Sequence, residues 1–576
     1  MHGLVERAKW LPREAVMGQP HAVPQRLRWY GILALLAITA LAAALRLWAV
    51  GWGLPYVDHP DEPEVARAAL RMVQHGDWNP RFYDYPSLYL YVLRIVFDGH
   101  WRYEHAVGAY TALAQLPTTI NLNPAAFYLS EPGFFVWGRS LTAVVGALTV
   151  GLLGLIGWRW WHAWVGLAAA VALAVLPFHV RSSQYITVDV PTAFTTLLAL
   201  GAAVRVIRHA QLRDYALAGF AVGLAASTKY NACDVCVALV VAHGMHWGRA
   251  SLRQSWRLPW AGLCSLLGFV VGTPYAVLHT SEFVRGLQGQ YKDYAAGGHG
   301  DLVGRWPVGG YLSFFWSLGL GPVIALVAAV GILVVLVRRD RAGLTVLAFV
   351  LAHVTLLMSF PQHFWRNLVP VLPPLALFAG IGIVSVAMAL AAAFRGWRNM
   401  QAGSRAAAFV SGVSVLAIAA GVLAGPLASS VTLDQFDAAR DVRLRAADYV
   451  RSHVPPDAHA AVELNPAQWQ GSPNVVAVSS LTEHSAAWYR SHGFRYLVAN
   501  DRYRSSKDDR QFTSLENQAT LLCVLDDQSA AQLGPLVNLA RTHASRFSHT
   551  QIEMLELLPA QGSAPARTTS HPSICS

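Results

Sequence analysis

The residues best suited to chemistry lie together just after the first apolar stretch of the chain. Asp58, His59, Asp61, Glu62 and Glu64 occupy seven consecutive positions in GLPYVDHPDEPEV. A carboxylate near a bilayer boundary is costly to keep charged unless it is paired or functional. With a raised pKa, such a group acts as a general base on a hydroxyl or an amine. Asp61 is the first candidate for that role, with Glu62 beside it and His59 placed to orient it. The same residues also fit a structural role. Asp61 can cap a helix whose first turn holds Pro63 and Glu64, and a cap residue can also be catalytic. His and Asp side chains can bind a divalent metal, but no tight ligand spacing such as HExxH occurs in the chain. No metal or other cofactor is therefore expected.

Of the 576 residues, 54% are hydrophobic and only 13% are charged. Soluble domains carry about 25% charged residues. The shortfall excludes disordered, collagenous and disulfide-scaffold classes and points to a membrane protein of many spans. A spanning helix needs about 20 apolar residues. Eleven stretches qualify or nearly do: 29–48, 136–158, 163–179, 190–207, 215–229, 231–247, 259–279, 312–337, 343–360, 367–391 and 407–428. The first is longer than a secretory signal core and reads as a retained span. The net charge of +11 comes largely from arginines in alternate connections, such as Arg205, Arg208 and Arg213, then Arg249, Arg253 and Arg257. Cytoplasmic loops collect such residues. The alternation predicts a cytoplasmic N-terminus (1–28) and an outer C-terminus, and the charge is a topology signal, not a sign of a nucleic-acid partner. Membrane lipids are the expected surroundings.

Two segments are too polar to cross: a first outer loop, 49–135, and the tail from 429 onward. After Pro63 the pattern VARAALRMV predicts a short amphipathic helix. Tyr85, Tyr89 and Tyr91 suit a second helix at the membrane surface. The tail alternates a helix over 434–453, strands near 459–464 and 474–479, a helix over 482–492 and a strand over 494–500. This predicts a small extracytoplasmic α/β domain over 429–559, followed by a disordered stretch, 560–576. Cys233 and Cys236 form a CxxC inside an apolar stretch and read as packing residues. Cys523 and Cys575 lie in the tail, and a disulfide between them is left open. Neither a Walker loop nor a GxGxxG between strand and helix occurs, so nucleotide use is not expected.

An apolar span, then HPDE, then the YPSLYLY block resembles the membrane-embedded GT-C glycosyltransferases. Within them the likeness is to the protein O-mannosyltransferase-like family 39, which includes bacterial aminoarabinose-type transferases. GRSLTAVVGALTV with Arg139, RSSQYITVDVPTAF with Asp189, GLAASTKYNA with Lys229 and FWRNLVPVLPPLALFAG with Arg366 fit in order, over roughly residues 29–430. Asn367 stands where tyrosine is common. The resemblance implies a GT-C transmembrane domain over 29–428 in the bacterial inner membrane. It also implies a polyprenyl-phosphate-linked sugar as donor and an acceptor protein, lipid or glycan. Asp61 would then be the base, and C1 would be inverted. Arg366, Lys229 and Arg139 are the candidates for the donor phosphate, because cations neutralise charge that develops there. His59, Asp189, Tyr85 and His363 are placed in support. The competing class is a multi-span transporter or lipid flippase. Transporters often show paired halves and midplane charges. This chain instead concentrates its polarity in one asymmetric outer loop.

Overall fold

The computed structural model describes residues 25–57, 59–116, 132–298, 300–398, 405–439, 441–463, 474–478, 480–500, 509–525 and 552–558. Asp58, His299, Cys575 and the expected disordered stretch 560–576 lie outside them. Two compact units result. One contains Met1–Val50, Ala68–Leu113 and Phe134–Thr432; the other contains Gly51–Arg67, Ala114–Gly133 and Leu433–Ser576.

The first unit is helical. A helix lies in each of the eleven apolar stretches. Among the described residues six are long and apolar enough to cross a membrane: Trp29–Trp48, Gly133–Trp160, Asp189–His209, Arg341–Ser359, Trp365–Trp397 and one that begins at Ala406. A bent pair, Val308–Gly319 with Pro322–Arg338, makes a seventh if counted as one span. This is the pattern of a multi-pass membrane protein. The helices Ala163–Ala174, Leu212–Ala226, Cys236–Trp247 and Arg257–Gly272 are shorter. At about 1.5 Å per residue they reach roughly 18–24 Å, short of a hydrocarbon core of about 30 Å.

Two expected spans are broken, and local chemistry accounts for both. The stretch 312–337 bends by 115° before Pro322. Gly321 takes φ +75 there, and the proline sits in the first turn of the next helix. The stretch 163–179 stops at Ala174 and restarts at Pro177, again in a first turn. Small residues set the closest helix crossings. A Cβ on Gly219 or Gly223 would strike the carbonyls of Ala261 and Ser265, and one on Gly331 would strike that of Phe378. Backbones approach this closely only where glycine leaves room, a common device between helices in lipid.

Two short strands also belong to this unit, β1 (Leu302–Val303) and β2 (Gln362–His363), paired antiparallel. The second unit holds a five-stranded sheet of β3 (His459–Val462), β4 (Val475–Ala477), β5 (Phe494–Asn500), β6 (Ala519–Leu525) and β7 (Ile552–Leu557), in the order β4-β3-β5-β7-β6. The pairs β3–β4 and β3–β5 are parallel, and those of β7 are antiparallel. Alternate residues face opposite sides, as the strand period of two requires. Ala460, Val462, Tyr496, Val498, Ile552 and Met554 pack under the helix Val442–His453. Ala461, Leu497, Ala499, Leu555 and Leu557 pack with Tyr489 and Phe512 of the helices Ala486–Ser491 and Asp509–Glu516. The sheet is thus covered by helices on both faces, the α/β character expected of the tail. The expected helix over 434–453 is two, because one long helix runs Arg405–Ala438 and Asp441 caps a new one, its carboxylate accepting from the Arg443 N–H.

Candidate functional site

In the second unit, the HPDE segment folds as a turn that opens a helix, Glu62–His75. The His59 carbonyl accepts from the Glu62 N–H at 3.3 Å, and the Asp61 carbonyl accepts from the Val65 N–H at 3.2 Å. Asp61 therefore holds the cap position, as its type and the following Pro63 require. The Asp61 N–H donates to His59 Nδ1 at 3.2 Å, which makes that nitrogen the unprotonated one. His59 and Glu62 are buried while Asp61 is half-buried. Of the clustered acids, Glu64 holds Arg67 in the first turn of the helix at 2.9 Å.

In the first unit, the FWRN segment opens a 3-10 turn, Trp365–Val371, that leads into the helix Leu372–Trp397. Asn367 is buried and is the hub of a polar network. Its Oδ1 accepts from Lys229 Nζ at 2.5 Å, its Nδ2 donates to the Tyr294 hydroxyl at 3.1 Å, and its carbonyl accepts from His353 Nε2 at 2.9 Å. Lys229 also meets Asp189 at 2.6 Å, with side-chain exposures of 8% and 4%. The other His353 nitrogen faces Asp234 at 2.7 Å, so a proton is held between ring and carboxylate. The structure thus joins the two sequence candidates Lys229 and Asp189 into one buried ion pair.

Arg366, next to the hub, is only half-buried, and its guanidinium lies 4.1 Å from the Phe364 ring centroid. Asp301 approaches the same turn and accepts from the Trp365 N–H at 2.7 Å. Desolvation raises the Asp301 pKa, against the Trp365 N–H and the Arg366 charge, which lower it. His363 is committed on both ring nitrogens. Nε2 donates to the Gly304 carbonyl at 2.6 Å, and Nδ1 accepts from the Tyr311 hydroxyl at 2.9 Å. That arrangement ties β2 to its surroundings. Arg139 is fully buried and donates to the Val50 carbonyl at 3.1 Å. Tyr85 is half-buried, its ring 6.0 Å from that of Phe82.

Sequence reasoning passed over four members of these constellations. His353 carried a signal, an ionisable residue inside an apolar helix, which asks for a partner. Its partner Asp234 was visible only as the middle of the CxxC. Tyr294 and Asp301 carried no local signal, since each acts through a residue more than sixty positions away. The CxxC itself is corrected: Cys233 and Cys236 are free and exposed, not packed. A 3-10 turn followed by a helix start places them three apart on one outward side, with Ala232 and Val235 inward. Cys523 on β6 is disulfide-bonded. Among the described residues no cluster of three or more His, Cys, Asp or Glu could hold a metal.

Residues 135–277 match the family model of dolichyl-phosphate-mannose-protein mannosyltransferase. Three of the motif stretches, those with Arg139, Asp189 and Lys229, fall within the match, while HPDE and FWRN lie outside it. No curated protein matches the chain. Three solved structures are similar at low identity. The oligosaccharyltransferase AglB from Archaeoglobus fulgidus, in complex with an inhibitory peptide and a dolichol-phosphate, is 11% identical, over 87% of this chain and 73% of its own, at a TM-score of 0.48. ArnT from Cupriavidus metallidurans, bound to undecaprenyl phosphate, is 14% identical, over 92% and 98%, at 0.46. The arabinosyltransferase EmbB from Mycobacterium smegmatis is 12% identical, over 72% and 42%, at 0.41. At these scores none of the three assigns a role to a residue here. The resemblance read from the motifs is borne out over residues 135–277, where the chain is similar to the dolichyl-phosphate-mannose-protein mannosyltransferases.

Proposed function

We propose that the protein is an integral membrane glycosyltransferase that moves a sugar from a polyprenyl-phosphate donor to an acceptor hydroxyl or amine. The observation that carries the reading is the match of residues 135–277 to a mannosyltransferase family. The apolar helices suit a lipid-linked donor. In the transfer, the Asp61 carboxylate takes the acceptor proton as the acceptor atom bonds to the sugar C1. The bond from C1 to the phosphate oxygen breaks on the opposite side, its electrons stay on the phosphate, and C1 is inverted. Asp61 is half-buried and its backbone is held in a fixed turn, which supports a base of defined position. A cation must meet the departing phosphate. Of the three candidates Arg366 is half-buried, whereas Lys229 and Arg139 are buried, which supports Arg366 as the cation that substrate can reach. On this reading Lys229 and Asp189 support the turn that carries Arg366. The alternating charge of the connections supports an N-terminus in the cytoplasm and a reaction on the outer face.

The test is transfer by the full-length protein reconstituted in lipid with polyprenyl-phosphate mannose and polyprenyl-phosphate arabinose as probes. Release of polyprenyl phosphate and the sugar-bearing acceptor are measured by mass spectrometry of a membrane extract. A positioned base contributes about 10²–10⁴-fold. Asp61→Asn is expected to lose that much in kcat with the chain still folded, and wild-type turnover by this variant ends the mechanism.

A further inference from the structure

The turn that holds Asp61 belongs to the same compact unit as residues 433–576. A cation over an aromatic ring inside that unit joins the two parts of the chain. The Arg443 guanidinium sits 4.0 Å from the centroid of the Tyr56 ring. Arg443 is itself aimed. Asp441 holds its Nε at 2.8 Å and its Nη2 at 2.6 Å, the two-point grip that a guanidinium and a carboxylate form, and Asp441 also caps the helix on which Arg443 stands. Both partners are shielded from water, Arg443 at 7% exposure and Tyr56 at 3%. A cation over an aromatic face is worth most when desolvated in this way. On the other side of Tyr56, its N–H donates to the Gly53 carbonyl at 2.8 Å, and Val57 and His59 follow as buried residues. His59 then holds Asp61 through its ring and Glu62 through its carbonyl.

We infer that Arg443 is a positioning residue for Asp61, acting through Tyr56, so that the C-terminal unit orders the turn that presents the base. The helix Val442–His453 also covers one face of the sheet. Folding of the sheet and ordering of the turn are thereby coupled, which gives this part of the chain a task in the reaction. The inference rests on Asp61 being the base only for its effect on rate; the ordering of the turn stands apart from it.

The experiment therefore has two arms on the full-length protein in lipid nanodiscs. The first follows amide exchange in peptides covering residues 51–67. Arg443→Ala and Tyr56→Leu are each expected to speed exchange there by about tenfold. Tyr56→Phe keeps the ring and leaves exchange unchanged, and Arg443→Lys, which keeps the charge, recovers most of the protection. The double variant Arg443→Ala/Tyr56→Leu adds nothing to either single one. Exchange confined to 442–453, or fully additive effects, overturns the inference. The second arm measures transfer with the polyprenyl-phosphate probe. Arg443→Ala is expected to lower kcat while the KM for the probe stays constant. A changed KM at constant kcat overturns the inference too. If no variant, and no wild-type protein, transfers sugar while the exchange pattern holds, the glycosyltransferase reading fails and the positioning stands.

Discussion

Two turns carry the candidate reagents, and they are held by different means. The HPDE turn carries short-range ties, His59 to the Asp61 N–H, its carbonyl to Glu62, and Asp61 to Val65, and Arg443 reaches it from the C-terminal part through Tyr56. The FWRN turn is tied from afar. Asn367 is reached by Lys229 across 138 positions, by Tyr294 across 73 and by His353 across 14. In each turn a buried residue (Glu62 or Asn367) stands beside a half-exposed one (Asp61 or Arg366). A reagent can meet substrate while its neighbour fixes the backbone. The difference lies in what fails when a tie is cut. Local ties order one turn. Distant ties also hold helices together, and here one of them, Lys229, is a buried charge paired with Asp189.

The largest effect is therefore expected at Lys229. Replacing it by methionine leaves the buried Asp189 carboxylate without its cation, and breaking a buried pair costs about 3–5 kcal/mol. Lys229→Met should lower the unfolding midpoint sharply. Lys229→Met/Asp189→Leu should recover most of the loss, because apolar replacement of a whole buried pair is often close to neutral. Thermal unfolding in one detergent reads both. If the double variant is no better than the single one, Asp189 is satisfied from elsewhere and the pair is not the tie.

Asn367 comes next. Its replacement by leucine leaves Lys229 with Asp189 alone and removes the acceptor of Lys229 and the donor to Tyr294. An orphaned buried polar group costs about 1–3 kcal/mol. The backbone carbonyl that His353 uses survives this change, so stability should fall by less than in Lys229→Met. A fall as large as that of Lys229→Met would mean that the His353 contact is lost too.

The contrast between the turns also decides what could be read from the linear sequence. The HPDE turn was legible, because a cap residue, a proline and an acidic first turn are neighbours in the chain. So were the apolar stretches, the mixed nature of the tail and the family resemblance. The breaks at Gly321–Pro322 and before Pro177 were missed because hydropathy over a window of about 20 residues outweighs single turn residues. β6 and β7 were missed because ATLLCVL and IEMLEL are short apolar runs whose strand character is set by pairing with β5 or each other. Asn367 looked like a mere departure from the usual tyrosine. Its role depends on three residues brought to it from separate segments, which no spacing records.

Cutting a local tie should be felt in rate more than in stability. His59→Phe removes the acceptor of the Asp61 N–H while keeping a ring in the buried space. The hydrogen bond to the Asp61 N–H contributes roughly 1 kcal/mol, so the unfolding midpoint should move by less than in Lys229→Met. Transfer should fall by about tenfold if the Asp61 orientation depends on that bond. A midpoint drop comparable to that of Lys229→Met would erase the distinction between the two turns.

The smallest effect concerns Asp301, which reaches the FWRN turn from the β1 side. Its pKa in the folded protein lies above the unfolded value of 3.8, raised by desolvation. A raised carboxyl pKa means that the folded state holds the proton more tightly than the unfolded chain does. Between the two pKa values the unfolded state binds fewer protons, so this group's contribution falls as pH rises from the unfolded value through the folded one. Arg366 opposes the rise by its charge. Removing that charge in Arg366→Gln should push the Asp301 pKa higher still and extend the decline toward higher pH. The unfolding midpoint, followed from pH 4 upward in the wild type and in Arg366→Gln, should show that displacement, and Asp301→Asn should abolish it in both backgrounds. Because part of residue 301 meets water while its carboxyl is partly desolvated, water screens the Arg366 charge and the displacement should be small. Superimposable profiles would mean that Arg366 does not act on Asp301. The FWRN turn would then rest on the buried ties at Asn367 and on the bond from the Trp365 N–H, with no part played by the Arg366 charge at Asp301.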